Sequence, residues 1–162
     1  MLLHFSKRNA LQSALIYAAG DAIAALLLHS FSFPRMIGMA IIGGTLYSLE
    51  IPNYFHWINT HTHLMEGMKA SVRRTILALL YFNPIWIARH LAFVQIFSGQ
   101  TFQLSWGLLW ISYNSFTMNI PFTVTINYLI QNKVSLHRRF LASSIFSGVM
   151  AIYYAMSQVW FK

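Results

Sequence analysis

KASVRRTILALLYFNPIWIARHLAFVQIF, residues 69–97, decides how this chain is folded. Three basic residues, Lys69, Arg73 and Arg74, stand before an apolar run (75–97) whose only charge is Arg89, and Ser98-Gly99-Gln100 beyond it carry none. About 20 apolar residues is the length of a membrane-crossing helix. The arrangement repeats outward in both directions, with apolar runs at 10–28, 35–57, 104–130 and 140–161. Lys7 and Arg8 precede the first run, and Lys133, Arg138 and Arg139 lie between the fourth and fifth. If every run crosses a bilayer, these eight basic residues share the starting side, and only Arg35 and Lys162 fall on the other. Such alternation predicts an inside amino terminus and an outside carboxyl terminus. The expected fold class is all-α, a polytopic membrane helix bundle of four to five transmembrane helices with proline kinks, in one integral membrane domain covering 1–162.

Composition points the same way. The chain is 57% hydrophobic and 9% charged, against roughly a quarter charged in an ordinary soluble domain. Its net charge of +8 is dispersed among loops, which argues against a nucleic-acid surface and suits anionic headgroups, each basic residue contributing about 1 kcal/mol. The lack of cysteine excludes disulfides and thiolate metal sites. The first run is too long for a cleaved signal peptide and carries Asp21, so it is expected to be retained.

Pro52 and Pro84 fall within the second and third runs and are expected to kink them, each freeing a carbonyl that needs another partner. Pro121 is expected to break the long fourth run in two. Small residues recur every fourth position: Ala10, Ala14, Ala18 and Ala22 in the first run, Ala40 and Gly44 in the second, and Ser143, Ser147, Ala151 and Ala155 in the fifth. That spacing lets helix backbones approach closely, so these faces are read as helix–helix contacts, within the chain or with a homo-oligomeric or other membrane partner.

Ionisable residues inside a membrane are costly to keep and mark functional positions. There are three: Asp21, Glu50 and Arg89. At about 1.5 Å of rise per residue, Asp21 and Arg89 come to nearly the same depth and are expected to pair. Glu50 is left to water, His56 or a loop lysine. Asn114 and Asn119 on the fourth run, with Ser112, Ser115 and Thr117, are candidate pore-lining groups. His61, His63 and Glu66 are weak candidates for a metal site, and no cofactor is expected. Nothing in the chain has the pattern of a catalytic triad or a phosphate-binding glycine loop, so an enzyme is not expected.

Several ordered landmarks bear a family resemblance. Gly20-Asp21-Ala22-Ile23-Ala24 resembles the Gly-Asp-x-Ile-Ala-Gln signature of the twenty-two-kilodalton peroxisomal membrane protein family, which includes a mitochondrial inner-membrane protein associated with mitochondrial DNA depletion. Arg35-Met36-Ile37-Gly38-Met39-Ala40 is similar to the start of that family's second helix. Pro52-Asn53-Tyr54-Phe55-His56-Trp57 resembles its Gly-Pro-x-x-His-x-Trp-Tyr element, and Phe82-Asn83-Pro84-Ile85 its Phe-x-Pro element. Trp110, Phe116 and Ile120-Pro121 resemble its Trp-Pro, Asn-Phe and Val-Pro run, and Tyr153-Tyr154-Ala155-Met156-Ser157 its terminal Tyr-Leu-Ser. Ala25 replaces the signature glutamine, Ile51 the glycine before proline, and Ile111 the proline after tryptophan.

The resemblance implies a weakly selective channel that modulates small-solute flux and membrane potential in a mitochondrial or peroxisomal membrane. Without it, the charge alternation suits a bacterial inner membrane equally. The alternative expectation is a non-transporting assembly or scaffold protein that packs with a partner through its small-residue faces.

Overall fold

The computed structural model describes residues 5–100 and 105–161; Lys162, counted above on the outer side, lies outside them. Among the described residues every regular element is helical: α1 (Lys7–Leu27), α2 (Phe33–Ile42), a π-helical turn (Gly43–Tyr47), α3 (Ser48–Thr62), α4 (Gly67–Tyr81), α5 (Pro84–Phe97), α6 (Gly107–Lys133) and α7 (Leu136–Trp160). Three segments, Lys7–Leu27, Gly67–Phe97 and Leu136–Trp160, are long and apolar enough to cross a membrane. α6 is as long as these but carries many serine, threonine and asparagine side chains.

The helices close into a ring. α1 packs on α7 and on α2 with its π turn, α2 and α3 continue onto α5 and α4, these pack on α6, and α6 returns to α7. Successive segments run antiparallel, so Lys7, Arg8, Lys69, Arg73, Arg74, Lys133, Arg138 and Arg139 gather at one end of the bundle. Cross-links fix that end: Arg74 Nε donates to Thr62 Oγ1 at 3.1 Å, and Asn132 Nδ2 to the Ser71 carbonyl at 3.3 Å. The core is filled by Tyr17, Tyr47, Ile51, Phe55, Trp86 and Tyr154 with their neighbours.

Outward faces are apolar on every segment. Leu11, Leu15, Ile37, Ile41, Ile76, Leu80, Met118, Phe122, Ile145 and Val149 each expose half or more of their surface, far beyond what a water-soluble monomer tolerates as a contiguous belt. Two threonines on these faces, Thr45 and Thr125, turn their hydroxyls back to the carbonyls of Ile41 (2.6 Å) and Pro121 (2.8 Å). In apolar surroundings that bond removes the cost of an unsatisfied hydroxyl.

Small residues set the closest approaches. A Cβ on Gly20 would lie 2.6 Å from the Gly148 carbonyl oxygen, so α1 and α7 cross backbone to backbone. A Cβ on Gly43 would lie 2.9 Å from the Ser13 carbonyl, and one on Gly44 3.2 Å from the Ala14 Cβ. The π turn thus widens the second segment where it presses on α1. Ser143, Ser147, Ala151 and Ala155 are buried as expected, all within one chain. The alanine stripe of α1 is displaced: Ala10, Ala14, Ala18 and Ala22 are half-buried, and the buried line is Ser13, Tyr17, Gly20, Asp21 and Ala24, one position round the helix. Glycine, which admits the backbone itself, outweighs alanine in choosing the contact face.

Pro84 and Pro121 act differently from expectation. Pro84 does not kink a continuous helix; it opens α5 after a break at Phe82–Asn83. Asn83 manages that break, its Oδ1 accepting from the Trp86 amide at 3.0 Å and its Nδ2 donating to the Leu80 carbonyl at 2.9 Å. The Leu80 carbonyl is the one deprived by the missing proline N–H. Pro121 does not divide the fourth segment, since α6 runs through it as one helix. Its ring is exposed, and α6 packs on α4, α5 and α7, which offsets the roughly 3 kcal/mol an interior proline costs. Pro52 lies inside α3, at its fifth residue.

Candidate functional site

The expected partner of Asp21 is replaced. Asp21 on α1 pairs with Arg35, not Arg89: Nε lies 2.8 Å from Oδ2 and Nη2 lies 2.6 Å from Oδ1. Both side chains are nearly inaccessible, at 3% and 7% exposure. The short turn after Leu27 and the extended Ser32 start α2 at once, with Pro34 in its first turn. Arg35 therefore enters beside the last third of α1, and its side chain folds back to the carboxylate. Helix rise alone put Arg35 at the surface because it ignored that reach.

Glu50 pairs with Arg89. Arg89 Nη1 lies 3.0 Å from Oε1 and Nη2 lies 2.7 Å from Oε2, while Tyr81 donates to Oε2 at 2.7 Å. The guanidinium sits 5.6 Å from the Tyr47 ring centroid. Expected partners of Glu50 were water, His56 or a lysine; the break at Phe82–Asn83 instead resets α5 so that Arg89 and Tyr81, from its two sides, converge on one carboxylate. This pair is about one third exposed. Arg89 borders a cleft of about 500 Å³ between α5 and the start of α6, lined in part by Ala88, Ala92, Trp106 and Leu109.

Between the two pairs lies an aromatic layer. Tyr17 and Tyr47 rings approach to 4.7 Å, Tyr47 and Trp86 to 5.3 Å, and His90 stacks on Trp86 at 5.6 Å and 7°. Tyr47 OH and His90 Nδ1 are 3.3 Å apart. The layer closes the middle of the bundle.

Toward the basic end the interior turns polar. Ser13 Oγ on α1, Asn127 Oδ1 and both amide atoms of Gln131 on α6, and the Ser143 and Ser144 hydroxyl oxygens on α7 are buried without a hydrogen-bond partner in the protein. Tyr17 OH is turned toward Ser147 but lacks hydrogen-bond geometry. Arg139 is 8% exposed, donates through Nε to the Val134 carbonyl at 3.0 Å, and leaves Nη1 without a partner. Measured by helix rise, these groups occupy about the first 3–15 Å of the bundle from that end. Leaving a buried polar atom unpaired costs about 1–3 kcal/mol; unpartnered atoms also occur outside this region, at Trp86, Arg89, Gln95 and Ser115.

Comparison with protein-family models, curated proteins and solved structures finds no match.

The remaining expected residues are placed as follows. Asn119 Nδ2 bridges to Thr123 Oγ1 at 2.9 Å and Met150 Sδ at 3.4 Å, at the α6–α7 contact, and Asn114 is half-buried on α6. His56 is exposed beside the basic end. His61 and His63 do not converge with Glu66. Their Nδ1 atoms lie 2.8 Å and 2.6 Å from the Trp57 and Thr60 carbonyls; a carbonyl only accepts, so each Nδ1 carries the proton. Glu66 stands at the N-cap of α4. Among the described residues no three such side chains group closely enough for a metal.

Sequence reading missed Arg35 as an intramembrane partner, Tyr81 as a ligand of Glu50, and the aromatic layer. The signal for the first was present: an arginine next to Pro34, close in sequence to a buried aspartate. The aromatic layer joins residues from α1, the π turn and α5 and has no linear signature.

Proposed function

We propose that this is a multi-pass membrane protein of channel type, with its amino terminus on the inner side and its interior forming a gated, hydrated route for small solutes. The observation that carries the reading is the group of unpartnered hydroxyl and amide atoms on α1, α6 and α7. Lipid supplies no hydrogen bonds, and the Asn127 and Gln131 amide groups, unlike a serine hydroxyl that can turn to its own helix carbonyl, are given water or solute as partners in this reading. The apolar outer belt and the basic end support the membrane setting and its orientation. In this reading the Tyr17–Tyr47–Trp86–His90 layer is the closed gate and Glu50–Arg89 faces the route beyond it. The resemblance of Gly20-Asp21 and its companion motifs to a channel-like family supports a mitochondrial or peroxisomal membrane. A scaffold role through the small-residue faces draws less support, because Ala14 packs on Gly44, and Ser147 and Ala151 are buried.

Purified protein in liposomes tests this. Wild type is expected to pass ions and small uncharged solutes slowly, and Tyr47→Ala, shown folded by circular dichroism and size exclusion, to pass them about tenfold faster, since it removes the constriction. Both proteins folded and both impermeable would end the channel reading.

A further inference from the structure

At the basic end a cleft opens between the first turns of α1, the middle of α3 and the start of α7. It has two joined compartments that share Asn9 and His137. The more apolar one, about 360 Å³, is walled mainly by Pro52, Phe55, Leu136 and Phe140, with Asn53 and His56 at its side. The basic one, about 320 Å³, is lined by Arg8, Arg138, Gln12 and Leu141. No carboxylate lines either compartment. Among the described residues Asp21 and Glu50 are held in ion pairs elsewhere, and Glu66 stands at the N-cap of α4.

An apolar compartment next to a doubly basic one selects a ligand with both characters. Arginine binds phosphate through paired N–H groups, and the amino-terminal end of α7, a helix of 25 residues, adds a partial positive charge on the same side. The cleft also opens at the end that carries eight of the chain's basic residues, where a membrane protein of this charge pattern meets headgroups. We propose that this cleft binds an anionic phospholipid, its phosphate held between Arg8 and Arg138 with Asn9 and Gln12 as further donors, and the start of an acyl chain lying on Leu136 and Phe140. The site goes beyond the channel reading and stands whether or not the bundle passes solutes.

Both arginines are exposed, so replacing them leaves the core intact. The full chain is placed in phosphatidylcholine nanodiscs with and without phosphatidylglycerol, and separately in phosphatidylcholine with added inorganic phosphate. The thermal midpoint is followed by tryptophan fluorescence for wild type, Arg8→Gln/Arg138→Gln, and Lys133→Gln. The last removes a basic residue from the same end that lines neither compartment. Phosphatidylglycerol is expected to raise the midpoint of wild type and Lys133→Gln by several degrees and to leave that of the double variant unmoved. Native mass spectrometry is expected to show phosphatidylglycerol retained by wild type and lost from each single arginine variant. An increment unchanged in the double variant, or lost equally in Lys133→Gln, would overturn the site in favour of a diffuse surface field. The same stabilisation by inorganic phosphate alone would overturn the lipid assignment and leave a soluble phosphate site.

Discussion

Asp21→Asn is expected to destabilise the fold by about 3–5 kcal/mol, the cost of stranding one member of a buried ion pair. Arg35 has no other carboxylate within reach, since among the described residues Glu50 is engaged by Arg89. Its guanidinium, with 7% of the side chain exposed, would be left charged in an apolar setting. The compensating double variant Asp21→Leu/Arg35→Met should recover most of the loss and is expected near or above wild-type stability, because well-packed apolar residues often replace such pairs at no net cost. Glu50→Gln should be milder, as that pair is one third exposed and Tyr81 can still hydrogen-bond the amide. Denaturant titration of the detergent-solubilised protein, followed by circular dichroism, ranks the three. Equal effects of Asp21→Asn and Glu50→Gln would contradict the assignment of Asp21 as the buried structural pair.

Gly20→Leu is expected to be at least as damaging. Overpacking against side chains costs about 1–3 kcal/mol, but here the obstruction is backbone: a Cβ would lie 2.6 Å from the Gly148 oxygen and 2.9 Å from its Cα. No rotamer relieves that, so α1 and α7 must separate. The separation would also expose the buried serines of α7 and unseat Asp21, one residue on. Loss of the monodisperse size-exclusion peak, with Ile23→Leu on the exposed face of α1 behaving as wild type, is the expected outcome. Wild-type behaviour of Gly20→Leu would mean that α1 and α7 do not cross there.

What was legible in sequence follows from which forces are local. The all-helical character and the order of the segments survive, and three of them are long and apolar enough to cross a membrane, because span length is read one segment at a time. The ion pairs were read wrongly because pairing depends on where a helix starts, not on its mean rise. Arg35 enters beside Asp21 because the α1–α2 turn is short, and Arg89 meets Glu50 because Asn83 caps a new helix in mid-segment. Pro121 misled in the opposite sense: a strong local signal was overridden by packing along the whole of α6. The unpartnered atoms of Asn127, Gln131, Ser143 and Ser144 carry the functional reading, yet in sequence they are ordinary polar residues in apolar runs. Only the closure of the ring turns them inward together.

The central claim is that this inward polar region is wet although the bundle lies in lipid. The chain has no cysteine, so single cysteines report one position at a time. Ser143→Cys and Ser144→Cys, on the inward face of α7, are to be compared in proteoliposomes with Ile145→Cys, whose side chain is half exposed on the outer face. Maleimides react with the thiolate, which forms only where water can take the proton. One or both serine positions are predicted to react about tenfold faster than Ile145→Cys, which the proposed membrane setting places against hydrocarbon. Fast reaction at Ile145→Cys with none at either serine position would contradict it, placing water outside the bundle and a dry core within.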